Sequence, residues 1–161
     1  MSTPRALHDA IERADLSGVE DALGRGEEPV FGTLTLAAAV GDAAIVRRLL
    51  AAGAFADDAT LCQAADHGHV EVIFLLHRAG VRADRTWGIA YTTPLMYAAA
   101  SGREDAARAL VSIGADPAKR DRQGRRADHA ARHFGHDALA DWLAALAEAT
   151  PEDPPQPPEE P

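Results

Sequence analysis

Five alanines, Ala10, Ala37, Ala64, Ala98 and Ala131, recur at spacings of 27, 27, 34 and 33 residues, and four glycines, Gly26, Gly53, Gly80 and Gly114, recur at 27, 27 and 34. Two separate markers hold one register, so the chain is assembled from a repeated unit and not from one irregular fold. The unit is clearest between Thr92 and Asp116, which codes a helix, a turn and a second helix. Thr93 can cap the first helix with its hydroxyl, and Pro94 suits the first helical position, where a missing N–H costs nothing. Gly102 and Gly114 can close the two helices in left-handed turns. Ala106, Ala107, Leu110 and Val111 fall at i, i+1, i+4 and i+5, one helical stripe too narrow to make a core alone. Such a unit is stable only against neighbours of its own kind.

The residues Thr93-Pro94-Leu95, then Ala98-Ala99, Gly102, Leu110 and Gly114-Ala115-Asp116, closely resemble one ankyrin repeat. The resemblance implies an all-α solenoid of stacked helix pairs, with one or two short β-hairpin fingers on one edge and a concave face that binds another protein. On this register the repeat domain covers residues 1–149, in units of about 4–26, 33–53, 59–80, 93–114 and 125–147. Ala14 stands where the first unit would have its interhelix glycine. The family period is about 33, so the two 27-residue intervals are short by about six residues each. The linkers Glu27 to Gly32 and Ala54 to Asp58 must supply that loss as plain tight loops. The connection from Val81 to Thr92 is instead one residue longer than standard, and the one after Gly114 is standard. Fingers are therefore expected only in the C-terminal half. In the last unit Arg126 and Asp128 occupy positions where the family prefers threonine and an inward leucine.

Composition narrows the function. The chain has 161 residues, 47% of them apolar and 5% aromatic, enough apolar content for a stacked core but not for a base-stacking surface. No apolar run approaches the about 20 residues that cross a bilayer. The opening residues enter a charged amphipathic helix with no apolar leader core, and Cys62 is the single cysteine. A cytoplasmic protein without disulfides is expected. Lysine occurs once, at Lys119, against fifteen arginines, a bias associated with GC-rich bacterial genomes. The net charge of −9 weighs against a nucleic-acid partner. Glu152, Asp153, Glu159 and Glu160 contribute four of those charges in a proline-rich segment over 150–161, which has nothing apolar to bury and is expected to be an extended, disordered tail.

No enzyme, cofactor or metal site is expected. His129 and His133 share a helix face at i and i+4, as in zinc-binding helices, but lack the intervening glutamate of a hydrolytic helix. His129 fits a position that hydrogen-bonds neighbouring backbone, and His136 follows Gly135 as His69 follows Gly68, where an imidazole serves the interhelix turn. Cys62 fits the inside as a small apolar residue, and the glycines precede no GK[ST] sequence. The reading is a monomeric, non-catalytic module that binds a protein partner, and nothing in the chain names that partner. The alternative is a metal-dependent or catalytic role for the histidines of the last repeat; self-association through the exposed end of the stack is a third. The resemblance places Tyr97, Ser101, Asp66, His67, His133 and Phe134 toward the concave groove. Trp87 and Tyr91 lie in the longest finger, and aromatic anchors of this kind dominate protein interfaces.

Overall fold

A computed structural model of the chain describes residues 5–149; the expected tail over 150–161 lies outside them, as does the start through residue 4. Ten helices follow in order among the described residues: α1 (Arg5–Glu12), α2 (Leu16–Gly24), α3 (Thr33–Val40), α4 (Ala43–Ala51), α5 (Asp58–His67), α6 (Val70–Arg78), α7 (Pro94–Ala100), α8 (Glu104–Ser112), α9 (Ala127–His133) and α10 (Asp137–Ala149). The odd-numbered helices pack one on the next, and α2, α4, α6 and α8 form a second row behind them. The sequence dictates which row is the tighter. Each odd-numbered helix from α3 onward carries an alanine pair, Ala37-Ala38, Ala64-Ala65, Ala98-Ala99 and Ala130-Ala131, and seven of these eight side chains are buried. Small side chains let backbones approach closely, and the larger Ile45, Leu49, Ile73, Leu76, Leu110 and Leu143, all fully buried, fill the space between the rows.

Short polar side chains start several of these helices. Asp15, Asp42, Asp57 and Thr93 accept from the free N–H groups of α2, α4, α5 and α7, and Pro94 takes the first turn of α7. The residues before α6, α8 and α10 do something else. His69 bonds through Nε2 to the Ala39 carbonyl at 3.0 Å, and its ring lies so near Gly41 that an added Cβ would sit 2.2 Å from it. His136 covers Gly102 in the same way, with a Cβ there 2.5 Å from the ring. Arg103 lies over Gly68 and donates from Nε to the Asp66 carbonyl at 3.1 Å. The imidazoles do serve an interhelix turn, but it is the turn of the preceding unit. Each link therefore joins neighbouring repeats, and the glycines at 41 and 102 are required twice, by φ of +87° and +63° and by the ring above them.

The linkers before α3 and α5 are plain loops. Among the described residues no strand forms, and the long connection before α7 keeps a single antiparallel bridge, Trp87 with Thr92, with backbone bonds of 2.9 and 3.2 Å. Arg85 at its base pairs with Asp58 of α5. The next connection has no bridge. It closes on Asp121, whose N–H donates to the Arg125 carbonyl and whose carboxylate accepts from the Gln123 and Arg125 N–H groups. The two connections are joined by Arg122 N–H to the Ala90 carbonyl at 2.9 Å and by Asp116 N–H to the Asp84 carboxylate at 3.0 Å. They stand as one rim along the edge of the odd-numbered row.

Candidate binding groove

Between α7 and α9 the side chains leave a recess of about 330 Å³. On α7, Met96, Tyr97 and Ala100 fall at i, i+1 and i+4, and opposite them Ala130 and His133 of α9 and Phe134, which caps its C-terminal end, fall at i, i+3 and i+4, so two matching stripes face each other. Ala100 and Ala130 are too small to fill the gap, and Asp121, Arg125 and Arg126 close it at the rim. Burial pushes the Tyr97 phenol above its ordinary value, with Cys62 and Asp66 adding to the shift, so the ring stays neutral. Tyr97 also meets Trp87, with ring centres 5.9 Å apart, and His133 stands edge-on to Phe134 at 4.9 Å.

The rim is polarised by two ion pairs with one buried partner each. The Asp121 side chain is 4% exposed beneath an Arg125 side chain that is 60% exposed. Burial alone would raise the Asp121 carboxyl, but donation from the backbone and side chain of Arg125 and from the Gln123 N–H outweighs it and holds the group below its ordinary value. Asp128 is also buried, and Arg126 takes both its oxygens at 3.0 and 2.9 Å. That pairing again overcomes the upward pull of burial and keeps the carboxyl ionised. The inward position that would suit leucine thus holds a neutralised carboxylate, and the surface above Asp121 is a guanidinium.

Of the eight residues expected to face a partner, Tyr97, His133 and Phe134 line this one recess. Trp87 touches its wall. Asp66 and Ser101 are spent on each other in a hydrogen bond that joins α5 to α7. His67 bonds to the Gln63 carbonyl, stacks on His69 and lines a polar hollow at the interhelix edge, away from Tyr97. Tyr91 sits exposed in the finger turn with φ of +54° and lines neither recess beside the rim. A second recess lies along the loop edge, where Phe31 and Phe55 stand 83% and 68% exposed near Trp87. Sequence reasoning missed both phenylalanines. Their signal was an aromatic residue in each shortened linker, where no core exists to hold it.

The histidines of the last repeat do not converge. His129 Nδ1 accepts from the Arg126 N–H at 3.3 Å, His136 lies on the turn at Gly102, and His133 faces Phe134. Three potential ligands approach within 4.8 Å of one another at His8, Asp9 and Glu12, near the start of the stack, an arrangement common without an ion. Cys62 is fully buried, and burial, with Asp58 and other nearby carboxylates, pushes its thiol up to about 12. A nucleophile needs the opposite shift. Among the described residues no helix is long and apolar enough to cross a membrane.

A family model described as ankyrin repeats, in three copies, matches residues 34–121 and 61–153 of the chain. No curated protein matches it.

Proposed function

Because the chain belongs to the ankyrin repeat family, whose repeats are generally protein–protein interaction modules, we propose that it is a non-catalytic module that docks a protein partner in the groove between α7 and α9. The observation that supports this most is the pairing of exposed Phe134 with half-buried Tyr97 across an open recess. A large aromatic side chain left in water with room beside it is the usual anchor of an interface. His133 and Trp87 extend the contact on either side, while Tyr91, Ser101, Asp66 and His67 are its outlying members. The partner contacts a monomer, in the cytoplasm of a bacterium, where the reduced, buried Cys62 is at home.

A photoreactive phenylalanine analogue at position 134 tests the reading in extracts of the source cells. It should cross-link one partner reproducibly, whereas the same analogue at Phe74, 39% exposed on α6, should not. Equal capture at both positions, or capture at 74 alone, would place the site elsewhere.

A further inference from the structure

The carboxylate and guanidinium groups that line the recess between α7 and α9 have their counter-charges within the chain. Asp121 is paired with Arg125 and also accepts from the Gln123 and Arg125 N–H groups. Arg126 donates from Nε and Nη2 to the two oxygens of Asp128. In a chain whose net charge is −9, this groove therefore offers a partner no unpaired carboxylate or guanidinium. A charged side chain entering it would give up its hydration and find no free counter-charge in return. An uncharged one meets no such cost.

The rest of the lining is hydrocarbon and ring. Each wall carries its own ring pair, Tyr97 with Trp87 at 5.9 Å on the α7 side and Phe134 with His133 at 4.9 Å on the α9 side. Ala100 and Ala130 leave the space between them, and Met96, 4% exposed, adds a thioether. Aromatic rings and thioethers attract a further ring beyond the area it buries, whereas an aliphatic guest gains the area alone. The volume of about 330 Å³ lies at the lower end of ligand-sized clefts, about 300–1,000 Å³, and so suits one large side chain better than a folded surface.

We propose that the recess is the pocket for one uncharged aromatic side chain of the partner, a phenylalanine, tyrosine or tryptophan, held between Tyr97 and Phe134. The assignment rests on the groove being the docking surface and gives the chemistry of what fills it: an uncharged segment with a ring at its centre, bound without dependence on salt.

Four probes of similar size, titrated into the full chain and followed by amide chemical shifts, test it: benzamide, benzoate, benzamidine and cyclohexanecarboxamide. They are a neutral ring, the same ring with negative or positive charge, and a saturated ring. Benzamide should move the amides of Ala100, Ala130, His133 and Phe134 and bind about threefold or more tightly than each of the others. Its affinity should not change between about 50 and about 500 mM salt. Phe134→Leu, at a position 61% exposed where the core is not disturbed, should bring benzamide level with cyclohexanecarboxamide. Ala130→Leu, which fills the space, should abolish the shifts from both. Benzoate, benzamidine or the saturated ring binding as tightly as benzamide overturns the proposal, as does a failure of benzamide to move these amides. If a photoreactive analogue at position 134 still captures a partner in that case, the groove remains the docking surface and only the aromatic anchor is lost.

Discussion

Ala14 holds φ at +53° in the first interhelix turn, a conformation that costs an L-residue about 1–2 kcal/mol. Glycine would remove that strain but add about 0.4–1 kcal/mol of entropy to the unfolded chain. Ala14→Gly should therefore stabilise the protein by roughly 0.5–1 kcal/mol in urea melts, and a loss of stability would mean that the turn relaxes around alanine. The opposite extreme is Leu76 or Leu110, each with no exposed surface between the rows. Leu→Ala at either position leaves a cavity among packed neighbours and should cost about 2–5 kcal/mol. His69 is intermediate. Its ring fills the space above Gly41 and bonds to the Ala39 carbonyl, so His69→Ala should cost about 1 kcal/mol or more, with the increased amide exchange appearing in the α3–α4 turn and not in its own. The sequence shows that an imidazole follows Gly68, but not which turn it covers, because that contact crosses between units.

The last helix pair is where acid should act first. The folded-state values of Asp121 and Asp128 are both lowered, so each contributes stability that is present above the ordinary carboxylate value and is lost as pH falls through the folded one. Amide exchange in α9 and α10 should therefore rise below about pH 4 before that of α5 and α6 does, and the reverse order would contradict the pairing. At this level much was legible in the sequence, since a left-handed glycine, a capping threonine and an alanine pair are local requirements that a string of residues displays. Gly102, Thr93 and Ala98-Ala99 adopt the conformations their identities call for. The loop edge was less legible. Phe31 and Phe55 are visible in the linkers, but their alignment with Trp87 depends on three loops stacking at one edge. Asp128 was likewise readable as a departure, whereas its partner Arg126 lay only two residues away and was seen as a second departure instead of as its neutraliser.

As a whole the molecule is a row of units that touch only their neighbours, so its stability is a sum of unit and interface terms, and the ends should open before the middle. Hydrogen exchange should show higher protection in the inner units, α3 to α8, each flanked by a unit on both sides, than in α1, α2, α9 and α10, and uniform protection along the chain would mean a single cooperative core. The groove lies at the less stable C-terminal end, between α7 and α9, where the ordering that a bound partner imposes is felt most. The proposed binding surface is this groove and not the even-numbered row. Once a partner is captured, isothermal titration against Tyr97→Ala with Phe134→Ala, and separately against Arg47→Ala with Arg78→Ala, decides between them. The first pair should bind at least about tenfold more weakly, a loss of about 1.4 kcal/mol, with melting little changed, and the second pair should bind as the wild type does; full affinity in the first pair with loss in the second would place the site on the even-numbered row.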